Sequence, residues 1–475
     1  MTYPRGHRRL AVAAAIATLT LLTAACSNAG SNGKASSDTT AGGTVTTFKG
    51  VDFTENVPVS APGVSNTEIH VGSITSKTNP VGGDNGLLNN GIQAYFDHVN
   101  SQGGIYGRKL KLTSQRDDQT SNNATEAQAL LSQDNVYAVF VATELFTGAK
   151  VLAKAGIPTF GWNINAEWAG PDNFFPNVAP QCFAGCPLLP HVTPWLAQQS
   201  KAHRVAVIGY SVPQSTSCVT GNVANFAKFT KDVDAQVVYS DASLSFGQTD
   251  FSAQVAQMKD KHVDFLVTCM DFNGDYAIAK EMKLQGIADK VTFYHPDLYN
   301  AAFVKANASM LEGGIVLAEI TAAEHQPQPP GVKEYLDYAA THNLKVTELT
   351  MQGWIAARQL VDALKAAGPH FTWKNLVGAW NQQTAYTAGG WIPPVDWTRQ
   401  HHDPAEGVQY QSQFECANFV RIHNGEFVPI FDDGGTKPWV CFDGHQANVW
   451  QEPVNLSFAG KVSTFAAAKA GAAQG

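Results

Sequence analysis

From Thr67 onward the apolar positions recur with two periods that alternate along the chain. "EIHVGSI" has the dense β-branched character of a strand. In "LLNNGIQAYFDHVNSQ" the residues Leu88, Ile92, Phe96 and Val99 fall on one stripe of a helix. "KLKLTSQ" predicts the next strand. "TSNNATEAQALLSQ" predicts a helix that starts at Ser121 or Asn122, with Glu126 in its early turns. "VYAVFVA", "LFTGAKVLAKA" and "IPTFGW" continue the series as strand, helix and strand. After a Pro- and Phe-rich break, "GPDNFFPNVAPQCFAGCP", the alternation begins again with "RVAVIGY", "VTGNVANFAKFTKDV" and "QVVYS". It runs on through "DFSAQVAQMKD", "VDFLVTC", "DYAIAKEMKLQG" and "KVTFYH" to "GGIVLAEI". Parallel neighbours need crossover helices, so two strand–helix series imply two parallel sheets. The predicted fold class is α/β, with two doubly wound lobes.

Two further stretches depart from the alternation. "LTMQGWIAARQLVDALKAAG" predicts one long amphipathic helix, with Ile355, Leu360 and Leu364 near one face. "FVRIHNGEFVPI" predicts a hairpin turning at Asn424-Gly425. Trp391 and Trp397, in the aromatic, Pro/Gly-rich region beyond, suit a core better than a cleft. Gly103 and Gly104 end the first crossover helix, where a left-handed residue carries no Cβ penalty.

The N-terminus changes the picture. "MTYPRGHRRL" is basic, "AVAAAIATLTLLTAA" is apolar and small, and Cys26 follows. That apolar run suits an export signal better than a spanning helix. "LLTAAC" resembles a bacterial lipobox, with Thr23 in the place usual for leucine. It implies removal of residues 1–25 and lipidation of Cys26; an ordinary signal peptide cut nearby is the alternative. Residues 26–66 read as a tether, because their Ser, Gly, Thr and Asn carry too little apolar surface to offset chain entropy. A flexible run of roughly 36 residues spans about 30–35 Å. The expected location is the outer face of the cytoplasmic membrane.

Composition then narrows the function classes. Charged residues make up 15% of the 475 and the formal net charge is −8, so no nucleic-acid partner is expected. Besides Cys26, six of the seven cysteines remain for an oxidising compartment, where fifteen pairings are open. The favoured set is Cys182–Cys186, close neighbours; Cys218–Cys269, at two adjacent strand ends; and Cys416–Cys441, flanking the hairpin region. "CFAGC" has no nearby histidine pair, which argues against zinc. No phosphate-binding loop, H-E-x-x-H helix or G-x-S-x-G elbow occurs, so no cofactor, metal or catalytic residue is expected.

The stretches "NSQGGIYGRKLKL…DDQT", "GIPTFGW", "DFSAQV…VDFLV" and "NGEFVPI", in that order, resemble the type I periplasmic-binding-protein superfamily. The branch is the leucine/isoleucine/valine-binding-like solute receptors of ABC importers, and the resemblance covers about residues 67–430. It implies two lobes joined by three crossovers, near 178–186, 320–326 and 408–418. The N-terminal lobe would take 67–180 plus 326–408, the other lobe 181–325 plus 409–455, with a tail at 456–475. The ligand would lie between the lobes, beyond the carboxyl ends of the strands. Site residues carried over from the family are Asn79 and Asp84 after the first strand, Thr143 and Thr147 after the third, and Trp162 and Asn163 after the fourth. From the second lobe come Ser215, then Asp271 and Phe272, then Asp297 and Tyr299. Asp297 takes the place of the carboxylate that meets an ammonium group. Trp162 could instead be core, the two threonines helix caps, and the aspartates caps or surface acids.

Glu144 would repel an anion at its helix start, and Trp162 stands where a small hydroxyl is usual. Both departures imply a ligand that is more aromatic, or less anionic, than leucine, and the expected solute is amino-acid-like, amide or aromatic. The expected function is a lipid-anchored receptor that closes on a small solute and hands it to importer permease subunits. The alternatives are a sensor signalling to a membrane partner, distinguished by neighbouring genes, and a secreted enzyme, distinguished by turnover.

Overall fold

Strands rich in Val, Ile and Phe occupy the buried centre of each lobe because both of their faces are covered, the usual fate of parallel strands. The computed structural model describes residues 53–178, 189–401, 414–460 and 464–473. The first sheet has five parallel strands: β1 (Glu68–Thr75), β2 (Lys109–Asp117), β3 (Val139–Ala142), β4 (Thr159–Gly161) and β5 (Phe174–Pro176), in the order β2-β1-β3-β4-β5. Its crossover helices are α1 (Leu87–Ser101), α2 (Asn123–Gln133) and α3 (Ala149–Ala155). Strand β5 lies inside the segment expected to be a break. Phe174 and Phe175 are fully buried there, and their burial outweighs the chain-breaking flanks.

The second lobe begins with α4 (Val192–Gln199). Its parallel part contains β6 (Arg204–Tyr210), α5 (Pro213–Val233), β7 (Gln236–Leu244), α6 (Ser252–Asp260), β8 (Phe265–Cys269) and α7 (Phe272–Leu284), followed by β9 (Thr292–His295), the short α8 (Ala301–Ala306) and α9 (Ala308–Leu311), and β10 (Ile315–Ala318). The chain then returns to the first lobe for α10 (Pro330–His342), α11 (Glu348–Ala367) and α12 (Trp373–Trp380). Back in the second sheet, β11 (Phe414–His423), β12 (Glu426–Ile430), β13 (Trp439–Asp443) and β14 (Val454–Leu456) add antiparallel, giving nine strands. The hairpin turns at Asn424-Gly425, both at positive φ, as its Asn-Gly dipeptide demands. The expected tail carries α13 (Phe465–Ala472), which belongs to a small apolar cluster with Leu456, Phe458 and Trp439.

Helix α11 differs from its amphipathic expectation. Residues Thr350 to Val361 are all buried, Arg358 and Gln359 included. It is wedged against α1, and the fit is reciprocal: a Cβ on Gly91 would meet the Thr350 carbonyl at 2.0 Å, and one on Gly353 the Leu88 carbonyl at 2.0 Å. Only glycine permits that approach. Trp391 and Trp397 are core, with at most 1% exposure.

Residues 53–66, assigned to the tether, are instead packed on the first lobe. Buried Arg108 donates from Nε to the Ser65 carbonyl at 2.7 Å and from Nη2 to the Val57 carbonyl at 2.7 Å. Phe53 lies 6.0 Å from the Tyr106 ring. A guanidinium without a carboxylate partner must find carbonyls, and this segment supplies them. Disulfides link Cys218 to Cys269 and Cys416 to Cys441. Cys218 sits within α5 rather than at a strand end, whereas Cys416 and Cys441 are directly opposed on β11 and β13. Cys26 and the Cys182–Cys186 pair lie outside the described residues, and no described helix is long and apolar enough to cross a membrane.

Candidate functional site

The carboxyl ends of β1, β3 and β4 face those of β6, β8, β9 and β10 across a cavity of about 270 Å³. Small-molecule sites usually span about 300–1,000 Å³, so a compact solute fits. Among the described residues, hydrogen bonds join the rims across the gap. Trp162 Nε1 donates to Glu319 Oε2 at 2.9 Å, Gln214 Nε2 to the Glu144 carbonyl at 2.9 Å, and Asn273 Nδ2 to the Val81 carbonyl. Gln352 of α11 also donates to Glu319 Oε2 at 3.4 Å.

Of the residues expected at the site, Asp84, Trp162, Asn163, Ser215, Asp271, Phe272, Asp297 and Tyr299 line this cavity. Asn79, Thr143 and Thr147 do not, and each has a local reason. The Asn79 amide donates to the Ser76 and Gly83 carbonyls at 2.8 and 2.9 Å, bracing its own loop. Thr143 Oγ1 donates to Asp118 Oδ2 beneath the cavity floor. Thr147 is exposed just before α3. Ser215 reaches the wall, but its hydroxyl is engaged, donating to the Cys269 carbonyl and accepting from the Tyr210 amide at 2.6 Å.

Glu319 and Glu348 complete the wall and were not singled out in the sequence. Glu319 follows β10, where an acid closing an apolar strand was a readable signal. Glu348 is the first residue of α11, capped by Thr347, and only the return of the chain to the first lobe brings it here.

The polar part of the wall is acidic. Asp84, Glu144, Asp271, Asp297, Glu319 and Glu348 all line the cavity, and no Lys, Arg or His does among the described residues. Burial pushes the Glu144 carboxyl up to about 7; its bond from Asn85 opposes the shift, and Asp271 and Asp118 add to it. Asp271 is raised by burial, against the pull of the Tyr210 hydroxyl, which donates to it at 2.7 Å. Asp297 is raised well above the usual carboxylate range by burial, then by Glu348, Glu319, Glu144 and Asp271. Glu319 is raised by burial against the Trp162 bond, and Glu348 by burial and by Glu319. These side chains are partly exposed because they face the cavity, yet they are enclosed on their other sides. Among the described residues, no group of three or more His, Cys, Asp or Glu side chains is placed to hold a metal ion.

The remainder of the wall is mostly apolar and runs inward beneath α4 and α5, with Thr193 donating to Asn222 at 2.6 Å as its neutral polar part. Val192, Val212, Val267 and Leu317 line it with the Cys218–Cys269 disulfide. Tyr210, Tyr299, Trp162 and Phe272 offer ring surface nearer the acids, with Phe272 also 4.8 Å from Phe303.

A family profile described as periplasmic binding protein matches residues 68–425, most of the chain, and the chain belongs to that family. Among solved structures, the fold is shared with a fatty acid ABC transporter substrate-binding protein from Thermomonospora curvata, at 16% identity and TM-score 0.63, covering 85% of this chain and 98% of that one. It is likewise similar to a branched-chain amino acid ABC transporter from Thermus thermophilus with bound valine, at 15% identity and TM-score 0.60, covering 82% and 97%. A solute-binding protein from R. palustris in complex with benzoate aligns at 16% identity and TM-score 0.58, covering 76% and 95%. No curated protein matches the chain. The architecture is the type I periplasmic-binding-protein fold.

Proposed function

We propose that this chain is the extracytoplasmic receptor of an ABC importer, held at the membrane through a lipid on Cys26. It binds an amino-acid-like, amide or aromatic solute between its lobes. The reading rests chiefly on the cavity itself, walled by strand ends of both sheets and bridged by the Trp162–Glu319 bond. Support comes from the family, from the export-like N-terminus, and from structural neighbours named as ABC transporter components. The mechanism is a hinge. Ligand contacts made to both lobes favour the closed state, and only that difference in contacts shifts the equilibrium. The candidate contacts are Asp84, Trp162, Asn163, Asp271, Phe272, Asp297 and Tyr299, with Ser215 shaping the wall.

Micromolar affinity requires roughly 8 kcal/mol, within reach of one stacked ring and a few charge-assisted hydrogen bonds. The test is a panel of amino acids, amides, aromatic compounds and organic amines, read by melting temperature and solution scattering. A ligand that raises the melting temperature and compacts the molecule is expected. A panel without either effect removes the receptor reading. Lipidation is read separately, as loss of membrane retention in the Cys26→Ala variant.

A further inference from the structure

The wall of the cavity is divided by chemistry. One end is acidic and aromatic; the other is mostly apolar and extends under α4 and α5, where the paired Thr193 and Asn222 add neutral polar surface. An anionic solute would have to displace or neutralise several carboxyls at once. One helix end on the wall is already occupied, since Asp271 accepts from the Asn273 and Gly274 amides at the start of α7, at 2.8 and 3.4 Å, whereas α5, whose first residues also reach the wall, has no side-chain cap. Glu348 stands in the first turn of α11, whose amide end is capped by Thr347. Asp297 has no hydrogen-bond donor from the described chain, although four other carboxyls lie within its electrostatic reach.

A bare metal ion does not fit either, because the acids are spread around the wall rather than gathered on one point. A spread ring of acids interleaved with Tyr210, Trp162 and Tyr299 matches a larger cation. Carboxylates meet its charge, and ring faces attract its alkyl-ammonium surface. The apolar extension then accommodates the rest of the molecule.

We propose that the cleft selects an organic amine, its ammonium set among Asp297, Glu348, Glu319 and Asp271 and its apolar body directed toward Val192, Val267 and Leu317, and that it excludes carboxylates and amino acids. The assignment rests on the receptor reading above and replaces its solute classes with a single one, an organic amine. The ammonium supplies the donors that Asp297 lacks and favours the ionised form of carboxyls that burial and mutual repulsion hold toward the protonated one, whereas a carboxylate brings them no counter-charge.

The test uses the full chain in a nonionic detergent and three probes of equal length: hexylamine, hexanamide and hexanoate. Titration calorimetry at pH 8 is paired with solution scattering. Hexylamine is expected to bind at least tenfold more tightly than either partner and to compact the molecule. Asp297→Asn and Glu348→Gln should each weaken hexylamine at least tenfold while raising the relative affinity for hexanamide. A variant damaged only in packing would weaken both probes together. Equal or tighter binding of hexanoate or hexanamide by the unaltered protein overturns the amine assignment. So does compaction by some other solute when hexylamine does not bind. In both cases the receptor reading stands. If no solute of any class compacts the molecule, the receptor reading fails as well.

Discussion

Two acids that follow strand ends, one in each lobe, show how the same side chain serves different ends. Asp118 is fully buried and surrounded by donors: Ser76 Oγ at 2.8 Å, the Thr120 amide at 2.8 Å, Asn123 Nδ2 at 2.8 Å, and Thr143 Oγ1. Across the cavity, Asp297 receives no donor from the described chain and faces other carboxyls. A satisfied buried carboxylate organises loops; one that faces a cavity without donors from the chain is left to solvent or ligand. The lesson is that partners, more than burial or residue type, separate scaffold from site.

The sharpest way to break this contrast is Asp118→Ala. Four donors would lose their acceptor, and denaturant unfolding should show a loss of about 3–5 kcal/mol. A loss under about 1 kcal/mol would erase the distinction.

The next effect is in pH. Glu144 has its folded-state value raised from 4.5 to about 7, so the folded protein holds that proton more tightly than the unfolded chain. Its folding penalty is absent below the unfolded value. It grows as pH rises from about 4.5 to 7 and is complete above that. Empty protein should therefore lose up to about 3 kcal/mol across this window through Glu144. Asp118, Asp271 and the Asn85 amide all bear on the group. Glu144→Gln should flatten that part of a melting-temperature profile, and a profile unchanged by the substitution would remove Glu144 as its source.

A smaller effect of opposite sign is expected from Asp297→Asn. Removing an unpaired enclosed acid should stabilise the empty protein by about 0.5–2 kcal/mol at pH 8, measured by denaturant titration. Destabilisation would show that Asp297 has a structural partner after all. Thr147→Ala should lie within about 0.5 kcal/mol of the parent and leave ligand binding unchanged, because the residue is exposed and away from the cavity.

How much of this was legible follows the same contrast. The alternation of strand and helix was readable because each βα unit is local, and so was the Asn424-Gly425 turn. The cavity residues that directly follow strands, such as Trp162, Asp271 and Asp297, were readable for that reason too. Thr143 was misplaced because whether a hydroxyl faces the cleft or a carboxylate below it depends on Asp118, which lies in another loop. Glu348 escaped because α11 reaches the first lobe only after the chain has built most of the second. Residues 53–66 were read with the polar stretch before them although they hold Phe53, Val59 and Val64, and the partner that fixes them, Arg108, is more than forty positions further on.

The mutual glycine seat of α1 and α11 has a mechanical consequence. With Gly91 against Thr350 and Gly353 against Leu88, the two helices behave as a single strut that carries Asn85 at the start of one member and Glu348 at the start of the other. Their spacing leaves no slack for backbone adjustment. Descendants of this chain could therefore retune what they capture by exchanging side chains at the strut's tip, while the distance between its two members stays locked.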